Sequence, residues 1–89
     1  MYQLAFLGKA LDDLKMIDRA HQKIIKAKLL ILAENPEALK NNIKKLSADD
    51  DIFRLRVGNY RIVFKKEEQR LLILIVRIGH RKEIYLSMK

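Results

Sequence analysis

The sequence predicts an α+β domain in which an N-terminal strand and a two-helix antiparallel hairpin pack on a mainly antiparallel β-sheet. Three observations carry this. Apolar residues recur at three- and four-residue steps only before Pro36, alternation with a period of two sets in after Asp51, and a Gly-Asn pair separates two alternating runs.

Residues 2 to 6, YQLAF, alternate weakly and suit a first strand, which Gly8 ends. Helical spacing begins at about Lys9 in KALDDLKMI. Asp18 reads as the N-cap of a longer helix, where Ile17, Ala20, Ile24, Ala27 and Ile31 recur as an amphipathic stripe flanked by Ile25, Leu29 and Leu32. Arg19, Gln22, Lys23 and Lys26 occupy its opposite face. Asn35-Pro36 stops it, because the residue before a proline is driven out of the helical region. Residues 37 to 51, EALKNNIKKLSADDD, read as an irregular connection with room for one helical turn near Pro36, pinned to the core by Leu39, Ile43 and Leu46.

From Phe53 the pattern alternates. Phe53, Leu55 and Val57 alternate with Arg54 and Arg56, and Tyr60, Ile62 and Phe64 with Arg61, Val63 and Lys65. KEEQR, 66 to 70, is a charged turn, and LLILIV, 71 to 76, is the apolar run of a central strand covered on both faces. RIGHRKEIYLSMK closes the chain.

One domain covers residues 1–89, since a chain of this length supports a single core. The absence of cysteine excludes disulfides, thiolate zinc sites and cysteine nucleophiles, and fits a cytoplasmic location. No apolar run approaches the roughly 20 residues of a membrane span, and the opening lacks a signal-peptide pattern, so no membrane association is expected. Nineteen Lys and Arg against eleven Asp and Glu give a formal charge of +8, a field that attracts phosphate backbones or an acidic partner. Asp49, Asp50 and Asp51 cannot converge on one ion in extended chain, so neither metal nor cofactor is expected. His21, on the second helix among lysines, reads as a surface residue remote from the basic cluster.

If Gly58-Asn59 forms a type I′ turn, counting outward pairs Val57 with Tyr60, Arg56 with Arg61, Leu55 with Ile62, Arg54 with Val63 and Phe53 with Phe64. One face of this hairpin is then apolar and the other carries Arg54, Arg56 and Arg61. Directly opposed like charges are destabilising. Either the arginine heads are solvated, or a polyanion normally sits on them, since guanidinium forks match phosphate oxygens. Beyond the central strand, Arg77, His80, Arg81, Lys82 and Tyr85 fall within nine residues, and Gly79 is expected to let those after it turn towards the arginine face.

Taken in order, FRLRVGNYRIVF and LLILIVRIGHRKEIY, with the spacing of Phe6, Ala10 and Leu14, resemble the RelE/ParE superfamily of bacterial and archaeal toxins, and more closely its RelE-type messenger-RNA interferases. The resemblance covers nearly the whole chain and implies the RelE-like microbial RNase fold. It also implies a toxin of a type II toxin–antitoxin module. Such a toxin enters the ribosomal A site and cuts mRNA there without metal, by attack of a 2′-hydroxyl on the adjacent phosphate. It is neutralised by an acidic cognate antitoxin in a hetero-oligomer.

Position by position, Arg61 is similar to the family's hairpin arginine, Arg81 to its arginine after the central strand, and Tyr85 to its C-terminal tyrosine. Arg54 and Arg56 stand where better-known members often carry lysine. A guanidinium keeps its proton at neutral pH and is a poor general base, so these two are cast as phosphate clamps, with Arg77 and Lys82 beside them. His80 completes a catalytic set of Arg61, His80, Arg81 and Tyr85, because an imidazole's ordinary pKa, about 6.5, suits proton transfer in either direction. The alternatives are a ParE-type inhibitor of DNA gyrase, with the same fold and no nuclease activity, and a basic nucleic-acid-binding module without catalysis.

Overall fold

The computed structural model describes residues 1–46 and 51–81. Its elements in chain order are β1 (Gln3–Phe6), α1 (Gly8–Lys15), α2 (Arg19–Glu34), a 3-10 helix (Pro36–Asn42), β2 (Ile43–Lys45), β3 (Ile52–Val57), β4 (Tyr60–Glu67) and β5 (Leu72–His80). The strands form one sheet ordered β1-β5-β4-β3-β2, with β1 parallel to β5 and every other neighbour antiparallel. This is the α+β architecture that the change of period predicts.

Asp18 caps α2 as expected, its carboxylate accepting the His21 backbone N–H at 3.3 Å. The face that α2 buries differs from the expected stripe. Ile25, Leu29, Leu32 and Ala33 are buried, whereas Ile24, Leu30 and Ile31 are exposed at 49%, 62% and 39%. Both rows have helical spacing, and the sheet's apolar face selects the flanking one. There Leu55, Ile62, Phe64, Ile73, Ile75 and Ile78 complete the core, each large side chain contributing about 1.5–3 kcal/mol by leaving water.

The connection carries the helical turn expected near Pro36, as the 3-10 helix, and beyond it β2, where no strand is expected. Ile43 pairs with Leu55 and Lys45 with Phe53, while Leu39 is buried and Leu46 lies at the surface. A three-residue edge strand with two lysines has too little alternation to be seen in sequence. The apolar run 71–76 belongs to a strand that continues to His80, and β4, not β5, is the middle of the sheet. Between Val63 and Phe64 the pairing with β5 slips by one residue: Phe64 faces Ile75 but Val63 faces Arg77, so Val76 is the extra residue of a β-bulge.

Candidate nucleic-acid interface

The β3–β4 hairpin has the register obtained by counting from Gly58-Asn59, down to Arg56 opposite Arg61 and Arg54 opposite Val63. The turn type differs from the expectation. Gly58 has φ +59°, and Asn59 is not among the residues of positive φ, the pattern of a type II′ turn, which needs the left-handed region only at its first central residue. Both types suit the strand twist, which is why the register survives the change.

The two opposed arginines avoid one another by going different ways. Arg61 is 8% exposed, and its Nη1 donates to the carbonyl oxygens of Gly58 and Tyr60, both at 3.0 Å, so the guanidinium lies back along the turn. Its Nε is buried with no hydrogen-bond partner. Arg56 stands exposed, and Arg54 is half-buried and engaged in an interaction. Val63 is 1% exposed, so the second face of β4 is no open surface.

Arg77, expected among the phosphate clamps, is held elsewhere. Its Nε and Nη2 donate to the Asp13 carboxylate of α1 at 2.8 and 3.2 Å, and the same carboxylate accepts the Ile78 N–H at 2.9 Å. Hydrogen bonding to Asp13 holds the Arg77 proton more firmly than usual, against a smaller opposing effect of burial. Asp13 thereby fastens α1 to β5.

His80 stands directly opposite Tyr60 and therefore shares the helix-side face with Tyr60 and Ile62, not the arginine face; Gly79 remains in the strand, opposite Arg61. The bulge is the cause. Strict alternation from Ile75 would carry His80 outward, and one extra residue reverses every side chain after it. Arg81 follows, exposed, its N–H donating to the Asn59 carbonyl at 2.8 Å, which ties the end of β5 to the hairpin turn. Lys82 and Tyr85 lie outside the described residues, as do Asp49 and Asp50.

His21 is exposed, as the sequence suggests, but it is not remote. Its ring centroid lies 5.2 Å from that of Tyr60, whose other neighbour is the His80 ring at 5.9 Å, edge-on. Asp18 holds His21 Nδ1 at 2.7 Å, and this bond keeps the Asp18 carboxyl below its ordinary range. Tyr60 and His80 line one side of a cavity of ≈ 430 Å³ whose other walls include Asp13, Met16, Ile17 and Ile78. No sequence spacing links α1, α2 and the strand ends in this way; only the packed fold brings them together. Among the described residues no group of three or more His, Asp or Glu is placed to hold a metal ion.

Comparison with known proteins gives this arrangement its class. Residues 4–85 match the family model described as the ParE toxin of the type II toxin–antitoxin system parDE. A protein of Methanocaldococcus jannaschii that carries the name toxin RelE1 is 30% identical over 78 residues, 86% of this chain and 87% of its own length. A RelE-like toxin protein of Escherichia coli is 27% identical over 81 residues, covering 91% and 84%. Among solved structures, the RelB-RelE antitoxin–toxin complex of Methanococcus jannaschii matches with a TM-score of 0.74 at 31% identity, covering 91% of this chain and 94% of that one. The isolated RelE toxin of E. coli matches in fold, with a TM-score of 0.76 at 21% identity, covering 99% and 95%. The chain belongs to the RelE/ParE superfamily of type II toxin–antitoxin toxins, and it is a RelE-like member.

Proposed function

We propose that this toxin is a metal-independent endoribonuclease that cuts messenger RNA in the ribosomal A site and so stops translation. The observation that carries the reading is Arg61: a buried guanidinium with an unpartnered Nε, on the strand next to exposed Arg56, at a turn to which Arg81 is tied. A buried charge that has carbonyls but, among the described residues, no carboxylate for company favours an anion beside it.

In this reading a 2′-hydroxyl attacks the adjacent phosphorus, the 5′-oxygen leaves, and a cyclic 2′,3′-phosphate and a 5′-hydroxyl result. Arg61 and Arg81 offer donors where charge gathers on the nonbridging oxygens, the kind of contribution worth about 10²–10³-fold per donor. Arg56 and Arg54 hold flanking phosphates, with Lys82 continuing the basic run in sequence. Arg77, committed to Asp13, positions β5 and leaves phosphate binding to the others. His80 takes the 2′-hydroxyl proton, and Tyr85 returns one to the leaving oxygen or stacks on a base. The cognate partner is an acidic antitoxin, in keeping with the +8 charge and with the antitoxin-bound state of the RelB-RelE relative. The compartment is the cytoplasm, where ribosomes are.

The test is induced expression with primer-extension mapping of transcripts. Wild type is expected to give new 5′ ends within translated codons, Arg81→Ala none, and His80→Gln and Tyr85→Phe slowed cleavage; full-rate cleavage by both of the latter removes them from the chemistry. The match to a family model named for ParE favours a second reading, gyrase inhibition without nuclease activity. In that case DNA damage precedes any arrest of translation and no new transcript ends appear.

A further inference from the structure

Apart from His80, the walls of the cavity beside Tyr60 have no part in the proposed reaction, yet the cavity opens at the end of the sheet where the basic groups gather. We infer that it is a nucleobase subsite: an unpaired base of the RNA inserts against Tyr60 and His80 while the flanking phosphates stay on Arg61, Arg56 and Arg81. This rests on the RNA-cutting reading and adds to it where the strand runs.

The chemistry of the walls suits a planar heterocycle with apolar faces and a polar edge. Tyr60 and His80 supply aromatic surface, Ile17, Ile78 and Met16 supply apolar contact, and Asp13 Oδ1, which accepts one bond from Arg77, has a second lone pair for an exocyclic amine. Unpaired RNA bases are commonly read by such stacking combined with hydrogen bonds to their edges. The cavity, ≈ 430 Å³, lies within the range of about 300–1,000 Å³ typical of ligand sites.

The walls are also braced in advance. Asp13 is fixed by Arg77 and the Ile78 N–H, and Tyr60 is backed by His21, itself held by Asp18. Groups ordered before the ligand arrives lose little entropy on binding it. Met16, 87% exposed, forms an adaptable rim.

Location supplies the rest. His80 lines the cavity, and the next residue, Arg81, is bonded through its backbone to the hairpin turn that carries Arg61. A base seated against Tyr60 brings its ribose to this rim. The RNA then crosses the strand ends instead of lying flat on the arginine face, which gives His80 access to a 2′-hydroxyl even though the bulge has turned it to the helix side.

The test uses the full chain and a 2′-O-methyl oligoribonucleotide, which lacks the attacking hydroxyl, so binding is read by fluorescence anisotropy whether or not the protein is a nuclease. Tyr60→Leu is expected to weaken binding roughly 5- to 150-fold, the range for loss of one base stack. Met16→Glu, a rim change that leaves the core intact, should weaken it several-fold. A series with an abasic unit at each position separates recognition from damage to the fold: wild type should lose affinity sharply at one position, and Tyr60→Leu should be indifferent there. Equal losses for both proteins at every position would overturn the subsite while leaving RNA binding intact. A wild-type protein with no salt-sensitive RNA binding would overturn both the subsite and the RNA-cutting reading.

Discussion

Arg61 and Arg77 stand on neighbouring strands of one sheet, Arg61 buried and Arg77 half-buried, and the fold treats them in opposite ways. Arg77 has a carboxylate on two of its nitrogens and a place in the clamp between α1 and β5. Arg61 has two turn carbonyls and a buried Nε with nothing on it. A paired, partly buried charge is part of the architecture, since removing one member strands the other. An uncompensated one is a cost that folding alone does not explain, and functional sites are where such costs persist. In the proposed function, the counter-charge of Arg61 and its opposed neighbour Arg56 is the RNA backbone.

The largest effect expected from this contrast is on activity. Arg61→Met keeps the apolar stem and removes the charge. Message cleavage should fall at least about 10²-fold, the usual consequence of losing one preorganised donor. Stability should change by no more than about 1–2 kcal/mol, because the change strands no carboxylate and removes only the donor to two turn carbonyls. Urea denaturation beside the transcript assay checks both, and a variant that unfolds readily would make Arg61 as structural as Arg77.

Arg77→Met should do the reverse. It leaves the Asp13 carboxylate half-buried with only the Ile78 N–H, and the expected loss is about 2–3 kcal/mol, below the figure for fully buried pairs because both side chains retain some exposure. For a domain of this size each kcal/mol lowers Tm by roughly 4–8 °C. Cleavage per folded molecule should change little. A drop in cleavage comparable to that of Arg61→Met, with the melting point unmoved, would place Arg77 among the phosphate ligands after all.

How far the sequence discloses this contrast follows from which constraints are local. The hairpin register was readable because a two-residue loop leaves one way to count outward, and it holds for either turn type. The row of α2 that packs was not, because Ile24 and Ile31 repeat as regularly as Ile25 and Leu32, and only the sheet beneath chooses between them. The same limit applies to the site. Arg56 and Arg61 follow from register alone, whereas the partner of Arg77 lies 64 positions away in α1 and has no sequence signature. The side of the sheet that His80 occupies depends on the bulge at Val76, in a run of aliphatic residues that gives no sign of it. His21 and Tyr60 come together only through the seating of α2.

The smallest expected effect concerns an exposed counterpart of these charges, Asp18 with His21. Here both partners face water, and Asp18 is an N-cap as well as an ion-pair member. Its carboxyl titrates below the ordinary range in the folded protein, chiefly through the bond to the His21 side chain. A depressed folded value means that the unfolded chain takes up the proton first. The contribution to stability is therefore complete at pH above the ordinary aspartate value, about 3.9, and is lost as pH falls through the lower folded value. Asp18→Asn keeps an oxygen that can cap the helix but removes the charge. Urea midpoints of Asp18→Asn and wild type should thus differ above that range and converge below it. A constant gap through the acid range would mean that the cap and not the charge is what Asp18 contributes.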